Sequence, residues 1–234
     1  MLCKIAELIT EVPAAGGMPP RCAGYLTEEA SAPEITIRQE YYHAESWPGL
    51  APELLEYMES GEQFYWHLLR YNGLMLHASA AALGGRAYLF SGPCGRGKST
   101  HTRLWQQTFG EAVQVFNDDK PALRRLDGRW YAYGTPWCGK DGINLNQKWP
   151  LGGICFLEKS QENRIRRLPA AEALPLILAQ TTYRLPPQYM ELLLASLDSL
   201  LREIPVFLLE NRPEEAAARL SFETMRRAAE EEGL

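Results

Sequence analysis

Apolar residues are dense and extended at two places near the start, residues 2–10 and 34–42, and both stretches predict strands. Between them Pro13, Gly16, Gly17, Pro19 and Pro20 mark a loop, so residues 1–50 read as a small β-rich N-terminal lobe. The period then lengthens. Phe64, Tyr65, Leu68 and Leu69 recur at helical spacing and predict a helix over 52–71, interrupted near Ser60-Gly61. Residues 74–83 form an apolar strand, Gly84-Gly85 a two-residue hairpin turn, and Arg86–Ser91 the returning strand. A loop leads to a helix over Lys98–Phe109 and a short buried strand at 112–116. A second hairpin, Ala122–Leu126 with Arg129–Tyr133, closes around Asp127-Gly128. Residues 153–157 read as a central strand, 170–181 and 188–203 as helices, and 205–209 as a last strand. A closing helix is expected over 214–227, with Pro213 suited to its first turn. Hairpins alternate with βα units, so residues 51–234 predict one α/β domain with a mixed β-sheet.

Composition narrows the function classes. With 46% hydrophobic and 23% charged residues in 234, the chain can bury a core and is not disordered. The net charge is −5 and lysines and arginines are scattered, so no nucleic-acid stripe is expected. Arg164, Arg166 and Arg167 read as the solvent face of a strand. Five cysteines at irregular spacing, without a CxxC pair, indicate neither a zinc knuckle nor a disulfide framework. Residues 1–12 carry Lys4, Glu7 and Glu11 and do not resemble a signal peptide. No stretch approaches the roughly 18 apolar residues of a membrane helix. A cytoplasmic protein is expected.

The chemistry concentrates in the middle of the chain. Gly92-Pro93-Cys94-Gly95-Arg96-Gly97-Lys98-Ser99 fits G-x-x-x-x-G-K-[ST] in full, between an apolar strand and a helix, with Thr100 following. Glycines let successive backbone N–H groups turn toward one anion, and the helix adds its positive end. Lys98 is placed to reach the β- and γ-phosphates, and Ser99 to offer its hydroxyl to Mg²⁺. ATP and Mg²⁺ are therefore the expected cofactors. Asp118 and Asp119 end the strand after the helix. A right-handed strand–helix–strand crossing would bring them beside the phosphates, one to hold the metal and one to accept a proton. His77 is placed by counting. If Leu83 pairs with Arg86 across the turn, His77 falls opposite Gly92, where it could hydrogen-bond the acidic pair or ligate a metal. The loop Gly134-Thr135-Pro136-Trp137-Cys138-Gly139-Lys140 either closes over phosphates or is a plain surface connection. Cys94 and Cys138 read as small fillers rather than nucleophiles.

His77, the Gly92 to Ser99 loop, Asp118 and Asp119, in this order and spacing, resemble the catalytic domain of the HPr kinase/phosphorylase family. Leu76-His77-Ala78-Ser79-Ala80 through Thr100 is also similar to ATP-dependent phosphoenolpyruvate carboxykinase. The resemblance implies an ATP-dependent serine kinase in which Asp118 is the catalytic base, His77 assists and Asp119 sits near the metal. By the carboxykinase resemblance His77 would instead be a metal ligand. Short HPr kinase-like proteins of peptide-modification gene clusters are the most similar group, which implies a serine on a peptide or small protein as acceptor. Symmetric homo-oligomers are implied as well. A small-metabolite kinase, a carboxykinase-like enzyme and a non-catalytic ATP-gated binding module are the alternatives.

Overall fold

A computed structural model describes residues 1–29, 31–43, 45, 48–181 and 184–234. The first expected strand is two. β1 (Leu2–Ile5) and β2 (Leu8–Glu11) pair antiparallel around Ala6 and Glu7, both left-handed at φ 50° and 64°. The second is strand only at β3 (Ile35–Thr36), which adds parallel to β2, and it continues as a short 3₁₀ turn at Gln39–Tyr41. The Pro-rich loop holds a short helix, α1 (Met18–Cys22), with the prolines in its first turn, where no N–H is missed.

The long helix α2 (Pro52–Leu68) runs unbroken through Ser60-Gly61. Gly61 is there for contact rather than for a break: a Cβ on it would lie 3.0 Å from Trp137 Cδ1. The Trp137 indole donates to Ser60 Oγ at 3.0 Å. Ile5, Leu8, Phe64, Tyr65, Leu68, Tyr133 and Trp137 share one apolar cluster, so the N-terminal sheet and the rest of the chain pack through a common core.

The main sheet has nine strands. They are β4 (Gly73–Met75), β5 (Ala78–Leu83), β6 (Arg86–Ser91), β7 (Gln114–Asp119), β8 (Ala122–Leu126), β9 (Arg129–Tyr133), β10 (Lys148–Lys159), β11 (Arg164–Arg167) and β12 (Val206–Asn211). Their order is β4-β8-β9-β10-β6-β5-β7, with β12 on β10 and β11 on β12. The N-terminal end of β10 pairs antiparallel with β9, and its remainder pairs parallel with β6 and β12. The changeover falls at Pro150, which has no N–H to donate, and at a bulge between Leu151 and Gly153. Helices α3 (Lys98–Phe109) and α6 (Glu215–Glu231) cover one face, closing over Phe90, Trp105, Val115 and Met225. Helices α4 (Ala170–Leu178) and α5 (Met190–Glu203) cover the other, over Leu89, Ile154 and Val206.

Two departures from the sequence expectation shape the site. Residues 74–83 do not form one strand: the chain leaves β4, which pairs β8, and enters β5, which pairs β6 and β7, with the break at Leu76-His77. The strand after α3 also does not return directly beside β6, because β5 lies between β6 and β7. Since β5 is antiparallel to both, the C-terminal ends of β6 and β7 and the start of β5 still meet at one edge.

Candidate functional site

The β5–β6 hairpin has the register the turn dictates. Leu83 faces Arg86 across Gly84-Gly85, both at positive φ, and Ala78 faces Ser91. One step further on lie His77 and Gly92. Ser91 Oγ donates to the His77 carbonyl at 2.9 Å and locks that step. Leu76 and Ala78 point into the apolar core, and the His77 ring turns to the edge.

Gly92 to Gly97 connects β6 to α3, with φ of 139°, 78° and 97° at Gly92, Gly95 and Gly97. Pro93, Cys94, Gly95 and Arg96 are exposed, so Cys94 is not the buried filler expected, whereas Cys138 is buried. Lys98 Nζ donates to the Gly92 carbonyl at 2.9 Å. Burial draws its pKa down, against the opposing pull of Asp119, Cys94 and Asp118.

The two aspartates face different partners, and a bulge decides which. Along β7, Val115 pairs Ala81 but Asn117 pairs Ala80, leaving Phe116 as the extra residue. One added residue reverses the alternation beyond it. Asp118 therefore pairs with Ser79, whose hydroxyl contacts Thr102 Oγ1 at 2.9 Å on α3. On that same face Asp118 Oδ1 accepts a hydrogen bond from Ser99 Oγ at 2.9 Å.

Asp119 lies 3.2 Å from His77 Nε2 through Oδ1, and its Oδ2 accepts from the Tyr57 hydroxyl and sits 3.5 Å from Lys120 Nζ. Burial raises its pKa, but His77, Lys120 and Tyr57 outweigh that and hold it well below the usual carboxylate range. Its φ of 139° is a strained position for a non-glycine residue. Such strain costs of order 1–3 kcal/mol and persists only where the surroundings over-determine it. His77 Nδ1 contacts Gln180 Oε1 at 3.0 Å, and His77 N–H donates to the Gln180 carbonyl at 2.7 Å.

Residues 134–147 run along the outer edge of β7. Leu145 N–H donates to Phe116 O at 2.8 Å, Asp118 N–H to Ile143 O at 3.3 Å, and Gly139 N–H to Asp118 O. Gly134 is obligatory there, because a Cβ would lie 1.8 Å from the Leu145 carbonyl oxygen. Lys140 and Asp141 are thereby brought to the cleft, and Asp141 pairs with Arg103 of α3.

The cleft of about 390 Å³ is lined by His77, Lys98, Ser99, Thr100, Arg103, Asp118, Asp119 and Lys140. A second cleft of about 370 Å³ lies on the other side of the same loop, against Leu104, Lys159, Ser160, Asn211 and Pro213. All residues that the motifs single out thus meet at one edge. Tyr57, Lys120, Gln180 and Arg21 join them without any local sequence signal. Among the described residues, no three His, Cys, Asp or Glu side chains converge as a ready metal cage. No described helix is long and apolar enough to cross a membrane.

No protein-family model matches the chain, and no curated protein does. Among solved structures, the Hpr(Ser) kinase/phosphatase from Coxiella burnetii is similar at 14% identity and a TM-score of 0.37, over 65% of this chain and 88% of that one. A likeness that loose leaves fold assignment and chemistry to the residues themselves.

Proposed function

We propose that this chain transfers the γ-phosphoryl group of ATP to a hydroxyl, with a serine on a peptide or small protein as the acceptor. The observation that carries the reading is the Ser99–Asp118 hydrogen bond at the mouth of the Gly92 loop, with His77 and Asp119 next to it. A hydroxyl and a carboxylate are the hard oxygen donors Mg²⁺ prefers, and Mg²⁺ takes few protein ligands when phosphates and water complete its shell. Ser99 and Asp118 therefore fit Mg²⁺, which when bound neutralises charge on the β- and γ-phosphate oxygens. Lys98 supplies a partly desolvated cation to the same oxygens. The loop has a cleft on either side. The one without carboxylates suits the nucleoside, and the one with Asp119 and His77 suits the acceptor.

This reading exchanges the roles that resemblance suggests for the two aspartates. Asp118, on Ser99, serves the metal, and the Asp119–His77 pair orients the acceptor hydroxyl and receives its proton. A carboxylate held so strongly ionised is a weak base by itself, so its part is chiefly to orient the hydroxyl beside His77. Phosphoryl transfer asks little of the base beyond orientation, because its transition state is loose.

The test is incubation with γ-labelled ATP, Mg²⁺ and serine peptides, including any encoded beside the gene. The wild type should label a peptide, and Lys98→Ala should lose both tight ATP binding and labelling. Wild-type-like turnover by Lys98→Ala rules the assignment out. ATP binding without transfer to any hydroxyl leaves a nucleotide-gated module instead.

A further inference from the structure

Tyr57 lies on α2, far in sequence from every motif residue, and is buried. On an amphipathic helix such a ring is ordinarily core packing. Here its hydroxyl is spent on Asp119. Two cations lie over the ring: Lys120 Nζ at 3.9 Å and the Arg21 guanidinium at 4.8 Å from its centre. Both cations also touch the Asp119 corner. Lys120 Nζ is 3.5 Å from Asp119 Oδ2. Arg21 Nη1 donates to the Cys138 carbonyl at 3.1 Å and contacts Cys138 Sγ at 3.3 Å, and Cys138 bridges to Asp119 through the backbone.

We propose that Tyr57 is a positioning residue for Asp119: its hydroxyl, on a ring clamped by Lys120 and Arg21, holds the carboxylate and the strained backbone beneath it toward His77 and the cleft. The N-terminal segment, through Arg21 of α1, thus completes the corner that performs the chemistry. This rests on the phosphoryl-transfer reading for its effect on rate and on geometry alone for its effect on Asp119. Without the hydroxyl, Asp119 Oδ2 keeps only the longer Lys120 contact at 3.5 Å opposite His77, and its backbone relaxes out of the left-handed region. A misplacement of about an ångström at a reacting group is worth up to roughly a hundredfold in rate.

Tyr57→Phe separates the two accounts of the residue, because it keeps the ring and the packing and removes only the tether. The expected result is a folded protein with ATP affinity near wild type, and kcat reduced roughly ten- to a hundredfold with KM for ATP unchanged. A crystal structure of the variant should show Asp119 at negative φ and moved from His77. Equal kcat, or a crystal structure with Asp119 unmoved, overturns the proposal, and the second holds whatever the enzyme's activity. Should Tyr57→Phe fail to fold, Arg21→Gln decides: it loosens the clamp without touching Asp119, and a kcat equal to wild type overturns the proposal. If the wild type binds no nucleotide, the function reading fails, and the crystal structure of the variant still decides the role of Tyr57.

Discussion

Adjacent aspartates that face different partners should fail in different ways. Asp118 is bonded to Ser99 and Asp119 to His77 and Tyr57. Asp118→Asn should raise the Mg²⁺ concentration needed for ATP binding, read by calorimetry across a metal titration. Asp119→Asn should leave Mg·ATP binding near wild type and lower the single-turnover rate by roughly 10²–10⁴. The opposite pattern restores the roles that resemblance assigns. Lys98, Ser99, both aspartates and His77 are legible in sequence because they lie within one motif or one turn of known arithmetic. Which partner each aspartate faces is not, because it hangs on one bulged residue, Phe116, that no local pattern announces. Tyr57, Lys120, Gln180 and Arg21 are illegible for another reason. Their partners are distant in sequence or shared with other packing, and a buried Tyr on a helix looks like any core aromatic.

Among the elements, the β5–β6 hairpin carries the most consequence, since its register decides where His77 lies. Gly84 and Gly85 have φ of 60° and 79°, and a Cβ on either would meet nothing within 4 Å. A side chain there is penalised by backbone conformation alone. Gly84→Val should therefore destabilise the fold by about 1–2 kcal/mol, seen as a lower denaturation midpoint with unchanged slope, while the folded fraction keeps its turnover. A variant as stable as wild type would mean the turn is not this one. Strand and helix types follow the periodicity closely here. The errors come where packing overrides pattern. Residues 74–83 are apolar apart from His77 and Ser79 because two different strands are each buried, so nothing in their period reports the break at His77. Gly61 mimics a helix breaker because Trp137 needs its space.

At the scale of the whole molecule, one buried group sets a pH dependence. Both Glu62 carboxylate oxygens are buried without a hydrogen-bond partner. Burial and the charge of Glu59, opposed by Arg184, Lys120 and His43, push its pKa from about 4.5 up to about 7. Between those values the folded chain keeps a proton that the unfolded chain has released, so stability falls as pH rises through this window. Glu62→Gln removes the titration. It should be more stable than wild type at pH 8, by up to about 3 kcal/mol, with the difference shrinking toward pH 5. Thermal unfolding of both proteins at the two pH values is the measurement, and a difference independent of pH would assign the effect to packing.

The strand β10 serves two halves of the sheet, antiparallel to the β8–β9 hairpin at one end and parallel to β6 and β12 at the other. Its Gly152-Gly153 step could have been a hinge, but a Cβ on Gly152 would lie 3.0 Å from Tyr88 and one on Gly153 3.1 Å from Met225. The step is packed closely between side chains. The half that carries the Gly92 loop and the half that meets the N-terminal sheet are therefore joined through one continuous, closely packed strand rather than through an open glycine hinge. Under the proposed function, gating would fall to the strip of residues 134–147, which is tied to β7 by a few hydrogen bonds and to α3 by the Arg103–Asp141 pair. The pace of opening would then be that of a loop peeling from a strand edge.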